Sequence, residues 1–213
     1  MTTEVRSEQN IPETIEAEVG PKTLGVVLII IERNSIDSGD PRIWTVTELV
    51  AKPETDRIPG QIAIPAETRK RGEAKESTVL GGLAEFTDSD DIVNRLKILP
   101  EKFYVKSAIQ LNGFNVDMAY VIYDGPANEE IKPTDISEVE PNGWVSLSDA
   151  AFLNGEMRSF AHSTIEFTQT QKIIEQIAAE TECLVPLTSI YEGDFCLKEF
   201  LKARDAKNDI PLD

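Results

Sequence analysis

Five basic side chains, Arg57, Arg69, Lys70, Arg71 and Lys75, crowd the approach to a stretch of regular apolar spacing. Cationic groups gathered in this way suit a phosphoryl group, although a solvated loop would be built from the same residues. The chain as a whole is acidic, with 21 basic against 38 acidic residues and a net charge of −17. That charge opposes nonspecific attraction to nucleic acid and to anionic membranes. A small nucleotide responds to its local pocket instead, so a phosphorylated ligand is compatible with the charge while nucleic acid and membrane are not expected as partners.

The basic cluster leads into Ser77–Phe86, where Val79, Leu80, Leu83 and Phe86 recur at helical spacing. Glu73 and Glu76 fall in the expected first turn, where carboxylates oppose the positive end of the helix dipole and Glu can complete a cap. Gly81 and Gly82 do not fit an ordinary helix interior, since each costs about 1 kcal/mol relative to alanine. Their presence predicts a close approach or a bend.

The stretch Pro65–Asp88 resembles the Nudix box, G-x5-E-x7-R-E-U-x-E-E-x-G-U with U a bulky aliphatic residue, and the spacing fits without a gap. With the first glutamate at Glu73, the leading glycine of the pattern falls on Glu67, its arginine on Gly81, its next glutamate on Gly82 and its aliphatic on Leu83. The glutamate pair falls on Glu85 and Phe86, and the last glycine on Asp88. The box is therefore degenerate. The flanks are similar to the family as well: Arg57–Pro65 resembles the strand entering the box, and Glu138–Phe167 resembles the closing pattern of an acidic pair, G-W-V-S-L, a short helix and an arginine-led final helix.

The resemblance implies a mixed β-sheet sandwiched between helices, and a helix whose glutamates at i, i+3 and i+4 hold magnesium or manganese for pyrophosphate hydrolysis. Here those positions are Gly82, Glu85 and Phe86, so one carboxylate stands in place of three. Glu73 and Glu85 are the catalytic and metal-ligating candidates the resemblance leaves. Glu76, Glu138 and Glu140 would supply replacement oxygens if the fold brought them near, and surface acid is the other reading. Glutamate at Gly82 and Phe86 would recreate the acidic face, the first change also removing a helix-weakening glycine.

Length and composition predict one domain with extensions, and with the resemblance the chain divides into a mobile acidic tail over 1–22, a Nudix-like domain over 23–182 and a C-terminal extension over 183–213 with a helix expected near Phe195–Ala203. Two cysteines, Cys183 and Cys196, make no disulfide framework or zinc site, and His162 stands alone. The longest apolar run, Val26–Ile31, is too short for a bilayer, and a cytoplasmic location is expected.

Along the chain, Thr23–Glu32 reads as a strand covered on both faces, Trp44–Ala51 as a second strand and Ile62–Ile64 as a third. Ile92, Val93, Leu96 and Leu99 suit a short helix, and Asn112-Gly113 the tip of a hairpin between Phe103–Leu111 and Phe114–Tyr123. Ile136–Ser146 reads as extended, Ser148 as the cap of a short helix, and Arg158–Glu182 as a longer one. Mixed strands and helices around a central hairpin predict an α+β sandwich. Three functions follow: a nucleotide- or phosphometabolite-binding or regulatory module, a divalent-metal pyrophosphohydrolase with a compensated ligand set, or a structural interaction protein in the form of a homodimer.

Overall fold

The structure, a computed structural model, describes residues 23–52, 57–69, 73–111, 114–134, 136–153, 155–190 and 199. At its centre β1 (Thr23–Glu32) runs parallel to β7 (Phe114–Tyr123), in register from Val26↔Asp117 to Glu32↔Tyr123. The six-residue aliphatic run dictates that place. Its alternate residues bury on opposite faces, Val26, Leu28 and Ile30 in one core cluster and Val27, Ile29 and Ile31 in the other.

Around this pair the described strands form a mixed sheet. Beyond β1 lie β2 (Arg42–Glu48) and β3 (Ile62–Ala63), and β8 (Val139–Ser146) pairs with β2. Beyond β7 lie β5 (Leu96–Ile98) and β9 (Val185–Pro186), while β6 (Tyr104–Leu111) pairs with β7 and β4 (Ala66–Thr68) with β1. Except for β1 with β7, the strand pairs are antiparallel. The last pair of the β6–β7 ladder is Leu111↔Phe114, while the expected tip, Asn112-Gly113, lies outside the described residues.

Helices cover both faces, giving the expected α+β sandwich. On one side α2 (Lys75–Phe86) packs Val79, Leu80, Leu83 and Phe86 into the cluster with Leu28 and Trp44. On the other, α4 (Leu147–Phe152), α5 (Ser159–Thr170) and α6 (Ile173–Ala178) contribute Leu147, Phe160, Ile165 and Ile174 to the second cluster.

Several local expectations are corrected. The helix read through Leu99 stops after one turn, α3 (Asp90–Val93), and Leu96 and Ile98 enter β5, where the sheet buries them. The final helix is two, broken where Lys172 turns left-handed at φ 52°. Ser146, not Ser148, caps α4, its hydroxyl accepting from the Asp149 N–H at 3.0 Å. The turn after β1 contains α1 (Arg33–Ile36), a single helical turn. The terminal tail over 1–22 and the helix expected near Phe195–Ala203 fall outside the described residues, apart from 199.

Candidate functional site

The approach to α2 is tied by local polar contacts. Arg69 donates from Nε to the Glu73 carbonyl at 2.8 Å. Thr78, buried in the first turn, donates to the Ala74 carbonyl at 3.2 Å and lies 3.4 Å from Glu73 Oε2. Ala74 is the cap position and makes no side-chain cap bond, so Glu73 stands just before the helix and not in its first turn as expected; Glu76 is in it. Lys70, Arg71 and Gly72 lie outside the described residues, as does the Glu85 side chain, although Glu85 itself falls within α2.

The helix face that would carry a cation is turned into the sheet. A Cβ added at Gly82 would lie 2.3 Å from Leu28 Cδ1 and 3.4 Å from Glu67 Cβ, so this glycine permits the close approach of α2 to β1. Four residues on, Phe86 is fully buried and meets Trp44 edge-on, with centroids 5.7 Å apart and planes at 80°. The aromatic contacts continue from Trp44 to Trp144 and from Trp144 to Tyr123. Helical geometry puts i and i+4 on one face, and here that face is apolar core. The expectation that glutamates at these two positions would rebuild an acidic face is therefore overturned, because both would have to enter the packed core.

Among the described residues no three His, Cys, Asp or Glu side chains come together as a cation's ligands. The residues present do not fit a magnesium or manganese site on α2, because a hard cation needs several oxygen ligands where this helix offers a glycine and a phenyl ring.

What does gather near the start of α2 is a cation set against strand residues that the sequence reading missed. Lys75 Nζ lies 2.8 Å from Oδ2 of Asp117 on β7 and 5.4 Å from the ring centroid of Tyr104 on β6. Asp117 is only 2% exposed, and its contact with Lys75 is an ion pair; among the described residues neither its Oδ2 nor the buried Tyr104 hydroxyl has a hydrogen-bond partner. Burial pushes the Tyr104 phenol up, helped by Glu76 and Asp117 and opposed by Arg69, so it remains a neutral donor. The available signal was one carboxylate inside an otherwise β-rich run, Asp117 in Phe114–Tyr123.

Arg57 is engaged elsewhere. Its Nε lies 2.8 Å from Glu48 Oε2 and its Nη1 2.6 Å from Glu138 Oε2, while Arg158 Nη1 reaches Glu48 Oε1 at 3.2 Å and Lys52 Nζ reaches Glu138 at 2.6 Å. This network binds the loop after β2 to the start of β8 and to the residue preceding α5. Glu138 thus joins it instead of approaching α2, and Glu140 is exposed. Burial raises the Glu48 carboxyl against the pull of Arg57 and Arg158. The hydrogen bond from Lys52, with Arg57 adding to it against partial burial, lowers that of Glu138.

The two shifts have opposite consequences. The Glu48 contribution to stability is lost as pH rises through its raised value, whereas that of Glu138 is present above its unfolded value and lost as pH falls through its lowered one. Glu138→Gln is expected to cost about 1 kcal/mol or less at neutral pH, since the carboxylate is one-third exposed, and nothing once acid has protonated it. Urea unfolding at neutral and acid pH checks both statements.

The remaining candidates are structural. His162 Nε2 lies 3.1 Å from the Ala151 carbonyl, joining α5 to α4, and Cys183 is exposed and free. Cys196 lies outside the described residues. A cleft of about 340 Å³ opens beside Trp44 and Trp144 under a rim that includes Glu129 and Glu130. On that rim Glu129 is paired with Arg95 at 2.9 Å and Glu130 is exposed. No described helix is long and apolar enough to cross a membrane.

No family model matches, and no curated relative does. Solved structures do: RenU, a Nudix hydrolase from M. smegmatis, is 11% identical over 75% of this chain and 90% of its own, with a TM-score of 0.48. The Nudix domain of Shewanella oneidensis NrtR, solved with ADP-ribose, is 16% identical over 76% of this chain and 92% of its own, with a TM-score of 0.45. MERS1 of T. brucei, solved with RNA, is 12% identical over 72% of this chain and 63% of its own, with a TM-score of 0.47. Within Pro65–Asp88 the described elements are β4 and α2, with Gly82 against β1.

Proposed function

We propose that this chain is a Nudix-fold module that binds a nucleotide or another small phosphorylated metabolite and hydrolyses it weakly or not at all. The observation that carries the reading is the burial of Gly82 and Phe86, which spends the would-be cation face of α2 on core packing. Pyrophosphate hydrolysis of the Nudix kind relies on bound divalent cations to neutralise phosphate charge and activate water. Without an oxygen-lined face the chain retains the means to position a ligand but not to assemble that chemistry. Arg69 and Lys75 are the described basic residues that supply charge to a phosphoryl group, with Lys70 and Arg71 next to them in sequence. The charge of Arg57 is already met by Glu48 and Glu138.

With purified protein, saturating magnesium or manganese and a panel of nucleoside diphosphate derivatives, turnover is expected to be absent or very slow. Brisk turnover that Glu85→Gln abolishes without unfolding the protein would establish a compensated metal site in its place, since that change keeps shape and hydrogen bonding while removing one ligand charge.

A further inference from the structure

On the side of the second apolar cluster, across the sheet from α2, a cleft of about 310 Å³ opens between the turn after β1, the start of α4 and the junction of α5 with α6. That volume lies at the lower end of the range for small-molecule sites. Ile36, Leu147 and Ile174, all buried, give it an apolar floor. Its walls are tied together, Gln169 Nε2 donating to the Leu147 carbonyl at 2.9 Å and Ser148 Oγ to Asp40 Oδ1 at 3.0 Å. At its edge Lys172 holds φ at 52°, a left-handed conformation uncommon for any residue but glycine. Such conformations persist where the surrounding structure demands them, and they cluster at ligand sites.

The polar groups at the mouth select a cation. Asp40 Oδ1 accepts from the Ser148 hydroxyl, whereas Oδ2 takes no hydrogen bond among the described residues. Gln169 has committed its amino group and keeps its oxygen as an acceptor. Lys172 Nζ lies 3.4 Å from Glu175 Oε2, with side chains 69% and 72% exposed, so this loose pair offsets Glu175 and leaves the Asp40 charge unmet. The net charge of −17 adds a field that draws cations to the surface. We infer that the cleft binds a small primary amine carried on an apolar body, with the ammonium at Asp40 and the Gln169 oxygen and the hydrocarbon on Ile36, Leu147 and Ile174. A phosphate ester would meet the unmet carboxylate and is excluded here. Occupancy of this cleft is therefore independent of the chemistry at α2.

The test is NMR titration of the full chain with phenethylamine, alongside phenethyl alcohol and hydrocinnamate, which keep the apolar body and make the head group neutral or anionic. The amine is expected to saturate with a dissociation constant on the order of 1 mM and to bind about tenfold more tightly than the carboxylate. Asp40→Asn, at an exposed position, is expected to weaken the amine about fivefold and to bring the probes closer together in affinity. Ala178→Phe, at a half-buried position lining the cleft, fills it and is expected to remove binding while the melting temperature holds. Should Ala178→Phe unfold the protein, Asp40→Asn and the probe series still decide. Salt-sensitive shifts scattered over the acidic surface, with no saturation by about 10 mM amine, would overturn the inference. So would equal affinity for the amine, alcohol and carboxylate, or amine binding that Asp40→Asn or a folded Ala178→Phe leaves unchanged.

Discussion

Gly82→Glu combined with Phe86→Glu is expected to abolish folding instead of restoring a metal site. Loss of the Phe86 ring from the core costs about 3–5 kcal/mol on its own, and a carboxylate placed in that apolar setting adds an unpaired buried charge. At Gly82 the new Cβ would stand 2.3 Å from Leu28 Cδ1, and Leu28 is itself fully buried and cannot swing into solvent. The helix-propensity gain of about 1 kcal/mol from removing a glycine is small beside these costs. Since whole domains are stable by about 5–15 kcal/mol, the sum approaches or exceeds what the chain has to lose. Circular dichroism and size exclusion of the double variant check this; a folded, manganese-binding product would show that α2 can rotate its acidic positions outward.

Phe86→Ala alone is expected to cost about 3–5 kcal/mol, near the upper end because the edge-on contact with Trp44 is lost along with the buried area. Urea unfolding with an unchanged denaturant slope would assign the loss to the native state. A cost below about 1 kcal/mol would mean that the ring does not pack as the structure places it, and would reopen access of a cation to this side of the helix.

The fold was legible where one local pattern admits one answer. Val26–Ile31 leaves no polar face, so its strand had to be covered on both sides, and Gly82 inside an apolar helix signalled a close approach, which Leu28 supplies. Other features depend on partners that sequence does not name. The residues of β4 are polar enough to read as loop, and they form a strand only because β1 offers its edge at Val26 and Val27. Leu96 and Leu99 have helical spacing, but Leu96 and Ile98 also suit a short strand, and pairing of Leu96 with Tyr123 settles the conformation. Lys172 takes a left-handed turn with no glycine to announce it.

The candidate site divides in the same way. Arg69 and Lys75 were found from the crowding of basic residues before the helix and Glu73 from its place in the box pattern, and Arg69 Nε meets the Glu73 carbonyl. Asp117 and Tyr104 reach Lys75 from strands more than twenty residues away in sequence, so register, not spacing, brings them there. Arg57 was grouped with the basic cluster by proximity in sequence, yet its charge is consumed by Glu48 and Glu138. A basic run shows only that charge is present; the acids that neutralise part of it come from β2 and the approach to β8.

The most direct test of the central claim, that Gly82 and Phe86 commit this face of α2 to core packing and leave no cation site on it, is a crystal structure of the natural protein soaked in manganese. The account predicts a dry apolar wall around Phe86, Gly82 in contact with Leu28, and no cation within about 2.5 Å of a carboxylate cluster on this helix. A manganese ion held by Glu85 together with two or more further carboxylates would contradict it.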